Sequence, residues 1–435
     1  MHRIVIVGGG AGGLELATRL GDKLGKSKRA HITLVDRCPT HVWKPLLHEV
    51  AAGSLDAHAH QIEYAAQAHW HHFEFVRGEM VGLERASQFL RLAPMFDTEG
   101  DNEEILPARC IEYDTLVLAL GSQTHFFGVP GAQSNAIPLD TLAQAERLRR
   151  RLLQTCVKKA ALNASGTQAA VHVAIIGGGA TGVELSAELR KMEKAFRQFG
   201  LHASGRDSDI NVTLLEAGPR ILPALSTTVA EATTELLKKI GIEVSVADPV
   251  TEVGRHDVFT KNGRIIPADI TIWAAGIKAP DVLASLDGIA VNRINQIKVS
   301  RSLQSETDPN VFAFGDCASC SWKEDRVVPP RAQAAHQQAT FLAKALRARV
   351  EGRPLGGFSY IDHGSLVSLG SSSAVGNLMG GGVGRNLLVE GLVAKVMYAA
   401  LYRKHLASVS GFRRTLVDLV VHGLRRAAMP RVKLH

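Results

Sequence analysis

The sequence predicts an α/β fold in which one strand–turn–helix–strand unit occurs twice along the chain. The first unit begins with the apolar strand Arg3–Val7, which leads into the glycine-rich turn Gly8–Gly13. The second unit begins with the apolar strand Val171–Ile176, which leads into the glycine-rich turn Gly177–Gly182. A chain of 435 residues is too long for one simple core and suits two or three domains.

The composition is that of a folded globular protein. Hydrophobic residues make up 46% of the chain and only 16 residues are prolines, which argues against disorder. The five cysteines are an odd number scattered over a long chain, so we expect a reducing cytosol and no disulfide framework. The first residues lead directly into a strand without a secretory signal pattern, and no stretch of 18 apolar residues predicts a spanning helix.

The net charge of +8 is concentrated in a C-terminal tail that begins at Arg385. This tail contains ten basic and two acidic residues, whereas the rest of the chain is neutral. Apolar residues recur at helical spacing over 392–401 and 416–424, with basic residues beside them. Basic amphipathic helices lie on anionic membrane surfaces, so we expect such a surface as a partner. The alternative is a helical hairpin packed on the body or on a second subunit. The tail has no recognisable nucleic-acid-binding fold, so we expect no nucleic acid.

The first glycine-rich turn has the G-x-G-x-x-G spacing of a dinucleotide site. Gly8 permits the tight turn, Gly10 lets a pyrophosphate approach the backbone, and Gly13 lets the helix pack on the strand. The N-terminus of that helix offers free N–H groups and a positive dipole end to the phosphates. The next strand, 31–35, ends in Asp36, which is placed to accept hydrogen bonds from a ribose.

The second unit repeats every part of this pattern. Gly177, Gly179 and Gly182 stand at the three glycine positions, and the following strand ends in Glu216. A lone glycine motif is weak, but two complete units predict two bound dinucleotides. Glu216 would repel a 2′-phosphate, which favours NADH over NADPH. Arg220 lies nearby and leaves the strictness of that preference open.

Three further motifs resemble those of flavoproteins that bind two dinucleotides. They are Thr115–Ser122, Trp273–Ile277 and Asn310–Asp316. The resemblance implies that the chain leaves an FAD domain at Gly121 and that Asp316, after Gly315, contacts the flavin ribityl chain. It also implies that Ala275 and Gly276 form the turn of the NADH domain that lies near the nicotinamide.

Three segments are similar to one family of these flavoproteins, the type II NADH dehydrogenases, which are single-subunit NADH:quinone oxidoreductases. These segments are His41–Glu49, Arg331–Gln337 and the basic C-terminus. The likeness covers essentially the whole chain and is especially close to the bacterial respiratory members. It implies FAD and NADH as cofactors, ubiquinone or menaquinone as acceptor, and no proton pumping. It also implies peripheral attachment to the cytoplasmic face of the cell inner membrane.

The resemblance assigns further site residues. Lys44 and Pro45 correspond to residues close to the isoalloxazine. Gln333 and Gln337 belong to a pattern, A-Q-x-A-x-Q, with which the family lines its quinone site. Their four-residue spacing puts both amides on one helix face, although spacing alone would also suit two solvent-facing glutamines.

The helix that carries these glutamines begins after Pro329 and Pro330. Its first residues, Ala332 and Gln333, would bring a positive dipole end to the flavin and stabilise its reduced form. Glu184 follows the second glycine-rich turn, where the family also has a glutamate. It would either hold the nicotinamide or relay a proton towards the quinone, unless it is an ordinary glutamate of a first helical turn.

We therefore expect tandem Rossmann-like domains with the NADH domain inserted in the FAD domain. The predicted limits are 1–138 and 298–365 for the FAD domain, 139–297 for the NADH domain, and 366–435 for a membrane-associating helical region. The sequence leaves open whether the protein forms a homodimer.

Two rival functions remain at this point. The first is a soluble NADH-dependent reductase of a protein acceptor such as a ferredoxin, and the second is a non-enzymatic NADH-binding redox sensor. A sulfide:quinone reductase would need a cysteine pair facing the flavin, and the Cys317–Cys320 pair lies elsewhere, directly after the flavin aspartate. No ordered set of metal ligands is visible, so we expect no metal site.

Overall fold

The computed structural model describes residues 1–97, 101–164, 169–198, 209–323, 326–369, 374–379, 386–411, 414–417 and 419–421. Its helices are α1 (Ala11–Leu20), α2 (Leu47–Ala51), α3 (Tyr64–His71), α4 (Ala132–Asn135), α5 (Leu142–Ala164), α6 (Ala180–Gln198), α7 (Thr227–Lys239), α8 (Ala332–Val350) and α9 (Gly391–Ser410). Short 3-10 helices cover Lys44–Leu46, His58–His60, Asp281–Ser285 and Gly315–Cys317, and a π-helical turn, Gly21–Gly25, follows α1.

The first central sheet is parallel and five-stranded. In spatial order its strands are Val311–Ala313, Thr115–Leu118, His2–Val7, Ala30–Asp36 and Glu74–Arg77. The register pairs Val7 with Leu118 on one side and with Val35 on the other. The carboxyl ends of these three strands therefore meet at one edge, which is where open α/β sheets bind ligands.

The second central sheet has the same parallel construction. In spatial order its strands are Ala136–Pro138, Ile270–Trp273, Val171–Ile176, Ile210–Leu215 and Ile242–Ser245. Ile176 pairs with Trp273 and with Leu215, as Val7 pairs with its two neighbours in the first sheet. The repeat predicted from the glycine-rich turns is confirmed.

Smaller sheets flank the two central ones. They are Arg109–Glu112, Phe89–Leu92 and Met80–Glu84; Val250–Val253, Asp257–Thr260 and Ile265–Pro267; Ile297–Val299, Ala318–Lys323 and Arg326–Val327; and Gly364–Ser368, Ala374–Met379 and Asn386–Glu390. Two-stranded pairs join Thr40–His41 to Ile62–Glu63, Met95–Phe96 to Glu104–Leu106, and Gln123–Thr124 to Ile277–Lys278.

The order of strands explains how the two units are connected. The first sheet takes strands from residues 2–118 and a last strand from 311–313, whereas all strands of the second sheet lie between them in sequence. The second unit is therefore inserted into the first, as the sequence predicts. The limits at 138, 297 and 365 stay predictions.

Continuous apolar strands account for the buried position of both sheets. Ile4 and Ile6 of the first sheet and Ile175 of the second are fully buried, as expected for parallel strands covered by helices on both faces. Within the described residues no helix is long and apolar enough to cross a bilayer. The side chains of 391–399 and 401, and all of residues 422–435, lie outside what the structure describes, so the predicted apolar stretch 392–401 and the end of 416–424 are not tested there.

Candidate active site

The first glycine-rich turn is closed towards the protein and open on its outer side. Gly8 has a φ of +102°, and a Cβ there would collide with the carbonyl oxygen of Ala119. A Cβ on Gly13 would overlap the carbonyl oxygen of Gly8, so α1 lies directly against the turn. A Cβ on Gly10, in contrast, would meet no atom within 4 Å. The turn thus leaves space in front of a helix N-terminus, which fits the pyrophosphate of FAD.

The second turn has the same geometry. A Cβ on Gly177 would lie 2.6 Å from the amide nitrogen of Ala275, and one on Gly182 would overlap the carbonyl oxygen of Gly177. A Cβ on Gly179 would meet no atom within 4 Å. Ala275 therefore lies against this turn, and Gly276 directly follows it with a φ of +64°. The two predicted NADH segments are brought together at the edge of the second sheet.

Each predicted ribose-binding acid also accepts a hydrogen bond from the backbone of its own glycine-rich turn. Asp36 Oδ2 accepts the Gly9 N–H at 2.6 Å, and Glu216 Oε2 accepts the Gly178 N–H at 2.7 Å. Burial raises the pKa of Asp36, while backbone donors oppose that shift. A carboxylate oxygen can accept a second hydrogen bond, so both acids remain able to receive a ribose hydroxyl.

Lys44 lies at the junction of the two domains. Its Nζ is 3.0 Å from Asp140 Oδ1 and donates at 3.0 Å to the carbonyl oxygen of Ser122, which follows Gly121. Asp140 also accepts the Thr124 N–H at 2.7 Å. Lys44 and the turn after strand Thr115–Leu118 therefore lie side by side, and the predicted position of Lys44 and Pro45 beside the isoalloxazine stays a prediction.

Asp316 is held at the same junction. Ser122 Oγ donates to Asp316 Oδ2 at 2.9 Å, and this hydrogen bond together with the charge of Lys44 opposes the rise in the pKa of Asp316 that burial causes. The neighbouring Gly315 N–H donates at 2.8 Å to Oε1 of Gln338, a buried residue of α8. The sequence did not predict a role for Gln338, whose only signal is its place directly after Gln337.

Gln333 and Gln337 occupy one side of α8, as their spacing predicts, but both amides are engaged by segment 361–364. Gln333 Nε2 donates to the Gly364 carbonyl at 2.9 Å and to Asp362 Oδ1 at 3.2 Å. Gln337 exchanges two hydrogen bonds, of 2.8 and 3.0 Å, with the backbone of Ile361. Both glutamines thus fasten this segment to α8, a contact that the sequence did not predict. Each amide nitrogen has two hydrogens, and Gln337 uses one of them for this segment.

Glu184 lies just after the first turn of α6 and is only 6% exposed. Its Oε1 accepts the Ser368 N–H at 2.9 Å, and its Oε2 is 3.6 Å from His48 Nδ1. Burial lowers the pKa of His48 to about 4, so this imidazole is neutral at physiological pH. Glu184 therefore joins the NADH domain to α2 and to strand Gly364–Ser368. The sequence did not predict the contacts of Glu184 with His48 and Ser368, although His48 belongs to the motif His41–Glu49.

The cysteine pair after Asp316 is packed into the core. Cys317 and Cys320 are buried free thiols, and burial raises the pKa of each to about 11. A thiol that stays protonated is a poor nucleophile, so burial and the raised pKa values disfavour redox chemistry at this pair. Among the described residues no group of three His, Cys, Asp or Glu side chains is arranged to hold a metal ion.

The family of this protein follows from comparison with known proteins. The pyridine nucleotide-disulphide oxidoreductase family matches residues 2–339. A type II NADH:quinone oxidoreductase from Haemophilus influenzae is 42% identical, with 100% of each chain covered. One from Staphylococcus saprophyticus is 26% identical over 87% of this chain and 90% of its own.

Solved structures share the fold at low sequence identity. NDH2 from Plasmodium falciparum in complex with NADH has a TM-score of 0.79 at 18% identity, covering 96% of this chain and 97% of its own. The sulfide:quinone oxidoreductase of Aquifex aeolicus has a TM-score of 0.72 at 18% identity, covering 94% and 92%. The full-length match at 42% identity decides the family. This chain belongs to the type II NADH:quinone oxidoreductases, FAD enzymes of the pyridine nucleotide-disulphide oxidoreductase family.

Proposed function

We propose that this protein oxidises NADH at the second glycine-rich turn and reduces quinone beside α8, with FAD bound between the two domains. The single observation that carries this arrangement is the position of Lys44, which contacts both Ser122 and Asp140 where the two domains join. FAD, when bound, supplies the two-electron chemistry that links hydride transfer from NADH to reduction of the quinone. The protein contributes binding, orientation and electrostatics.

The residues that hold FAD follow from the first sheet and its edge. The open turn around Gly10 and the N-terminus of α1 receive the pyrophosphate, and Asp36 receives the adenosine ribose. Around the flavin itself, Asp316 contacts the ribityl chain. The remaining contacts are Gly8, Gly13, Lys44, Pro45, Gly121, Gly315, Ala332 and Gln333.

The residues that hold NADH follow from the second sheet. The open turn around Gly179 receives the pyrophosphate, and Glu216 receives the ribose hydroxyls. Glu184 contacts the nicotinamide or relays a proton towards the quinone, and its burial beside Ser368 and the neutral His48 supports a role inside the protein rather than on its surface. The remaining contacts are Gly177, Gly182, Ala275 and Gly276.

Gln333 and Gln337 are the proposed quinone residues. Their hydrogen bonds to segment 361–364 support a site at this segment, in which a quinone carbonyl replaces or extends one of these contacts. The amides of the two glutamines suit the carbonyls of ubiquinone and of menaquinone alike, so the proposed acceptor is a quinone of either kind.

The test separates the two half-reactions. The purified enzyme is mixed anaerobically with NADH while the flavin absorbance bleaches, and a short-chain quinone is then added to restore it. Changing both Gln333 and Gln337 to alanine should slow the recovery by about tenfold or more and slow the bleaching by no more than about twofold, the small effect coming from the FAD contact of Gln333. Lys344→Ala, on the exposed side of α8, is the control and should change neither rate.

Equal losses in both half-reactions would overturn the quinone assignment of the two glutamines. Bleaching of the unchanged enzyme without recovery would favour a protein acceptor such as a ferredoxin, or a redox sensor.

We also infer that the C-terminal tail attaches the enzyme peripherally to the anionic, cytoplasmic face of the cell membrane. Apolar side chains are exposed in the described part of 414–421: Leu416 (51%), Val417 (63%) and Val420 (57%). Arg414 lies over the ring of Trp70, with its Cζ 3.5 Å from the ring centroid, and Trp70 is itself 46% exposed. Aromatic, apolar and basic side chains together favour a membrane interface.

Co-sedimentation with lipid vesicles tests this attachment. The enzyme should bind vesicles that contain anionic lipid far more strongly than neutral ones, and the triple change of Leu416, Val417 and Val420 to serine should abolish binding. Wild-type enzyme that stays in the supernatant with anionic vesicles would contradict the proposed attachment. The homodimer stays a proposal of its own, and a sedimentation experiment on the detergent-free serine variant would decide it.

A further inference from the structure

The last part of α9 packs on the FAD domain beside the first glycine-rich turn. Val409 is fully buried, Ser408 Oγ lies 3.4 Å from Glu15 of α1, and Ser410 Oγ accepts from Gln67 of α3 at 3.3 Å. At the centre of this contact is His405, which is 1% exposed. The C-terminal helix therefore rests on the elements that surround the FAD turn, far from it in sequence.

A chain of hydrogen bonds leads from His405 to that turn. His41 Nδ1 is 2.9 Å from the carbonyl oxygen of Gly9, and a carbonyl oxygen can only accept, so His41 Nδ1 carries the hydrogen. In a neutral imidazole the other nitrogen is then an acceptor. His405 Nε2 lies 2.8 Å from His41 Nε2, so His405 must donate to it.

The two peptide groups on either side of Gly9, where this chain of hydrogen bonds ends, make further hydrogen bonds. The Gly9 carbonyl, which shares a peptide group with the Gly10 N–H, also accepts the Tyr64 hydroxyl at 2.8 Å, and the Gly9 N–H, in the preceding peptide group, donates to Asp36. Gly9 lies between Gly8, which makes the turn, and Gly10, which faces the pyrophosphate space. The orientation of these peptide groups therefore decides where the phosphate-binding N–H groups point.

A second contact of His405 leads to the other end of the FAD site. The rings of His405 and Trp43 stack with centroids 4.1 Å apart at an interplanar angle of 28°. His336 of α8 lies on Trp43 as well, with ring centroids 5.7 Å apart. Trp43 directly precedes Lys44, so this stacking holds the segment that reaches the junction of the two domains.

The position of His405 is costly for a purely packing role. Its Nδ1 has no hydrogen-bond partner among the residues that the structure describes, and an unpaired buried polar atom lowers stability. An apolar side chain of similar size would fill the same space without that cost. What the imidazole adds is the hydrogen bond from Nε2 to His41.

We propose that α9 stabilises the FAD site and that its residue His405 positions the backbone of that site. Through His41 it orients the Gly9 peptide of the pyrophosphate turn, and through Trp43 it holds the segment before Lys44. Retention of FAD then depends on the C-terminal helix, although no residue of that helix belongs to either glycine-rich turn. This inference concerns FAD binding and is independent of the identity of the electron acceptor.

The test measures FAD release from the holoenzyme after dilution, by the fluorescence of the liberated flavin. His405→Phe keeps the stacking on Trp43 and removes the donor, and should release FAD about five- to tenfold faster. His405→Gln keeps an N–H donor at a similar reach and should stay within about twofold of the wild-type rate. Lys404→Ala, an exposed neighbour on α9, should match the wild type.

A general loosening of α9 must be separated from the specific contact. Val409→Ala removes buried methyl groups of α9 that take no part in the hydrogen bonds from His405 to Gly9, and should lower the unfolding temperature through a cavity. The proposal requires that His405→Phe release FAD faster than Val409→Ala at an equal unfolding temperature. His41→Phe should also produce the loss, and the double variant should be no worse than either single change.

Two results would overturn the proposal. One is a wild-type rate of FAD release from His405→Phe, and the other is equal acceleration by Val409→Ala. No quinone enters the measurement, so loss of the quinone assignment would leave this result unaffected.

Discussion

Lys44 Nζ lies 3.0 Å from Asp140 Oδ1, and this ion pair joins Lys44 to the residues that follow strand Ala136–Pro138 of the second central sheet. Lys44 is 43% exposed, and exposed ion pairs contribute little to stability, about 1 kcal/mol or less. The ion pair therefore contributes little to folding, and we propose that Lys44 acts through its charge beside the flavin.

Replacing that charge tests its role. Lys44→Gln should slow the bleaching of the flavin by NADH by about tenfold, because a positive charge no longer faces the place where negative charge develops. Asp140→Asn removes the ion pair but leaves the lysine charge, so its effect should be clearly smaller. Equal slowing by both variants would mean that Lys44 acts only by joining the domains.

The two glycines of the first turn should respond differently to the same change. Gly10→Ala adds a Cβ where the protein has open space, so the chain should fold but lose FAD affinity by about tenfold or more. Gly13→Ala would overlap the carbonyl oxygen of Gly8 and should yield little folded protein. Flavin content and circular dichroism distinguish these outcomes.

The matching change in the second turn is the control for specificity. Gly179→Ala should keep FAD and raise the KM for NADH. Loss of FAD from Gly179→Ala would mean that the two turns are assigned to the wrong dinucleotides.

Two buried histidines should make stability depend on pH. Burial lowers the pKa of His41 and of His48 to about 4, below the ordinary value of 6.5. The unfolded chain therefore binds protons that the native protein excludes, and the free energy of unfolding is highest above pH 6.5. It should fall as pH drops from 6.5 towards 4, by up to about 3 kcal/mol for each histidine.

Urea unfolding of the holoenzyme between pH 5 and 8 measures this dependence. His48→Leu should make the stability curve flatter, since one excluded proton is removed. A slope that is unchanged in this variant would mean that His48 is not neutral in the native state.

Thiol chemistry should distinguish the exposed cysteines from the buried pair. Cys38 and Cys110 are exposed and should react with a thiol reagent in the folded protein, Cys38 more slowly because burial raises the pKa of its thiol, whereas Cys317 and Cys320 should react only after unfolding. Changing both buried cysteines to alanine should leave NADH oxidation within about twofold of the wild type. A large loss of activity in a folded double variant would restore the dithiol as a redox group.

Sequence reasoning reached the two dinucleotide sites because their signals are local. The strand, the turn and the first helical residues of each site are contiguous, and the steric demands on Gly8 and Gly13 act within six residues. The matching acids, Asp36 and Glu216, follow at the end of the next strand. Such patterns keep their meaning in any globular context.

Sequence reasoning also placed Gln333 and Gln337 on one face of a helix, but it missed what faces them. Helical spacing determines which residues share a side, whereas the packing of segment 361–364 against α8 determines their partners. Gln338, for which the sequence predicted no role, accepts a hydrogen bond from Gly315 because α8 packs against that turn.

The sequence by itself determined the family, the two glycine-rich turns and the acids that follow them, since each depends on residues close together in the chain. Only the tertiary structure decided that Glu184 meets Ser368 and that His405 meets His41. These pairs lie 184 and 364 residues apart. Their contacts arise when separate elements pack together, and no local pattern of residues specifies which distant side chain will fill a buried position.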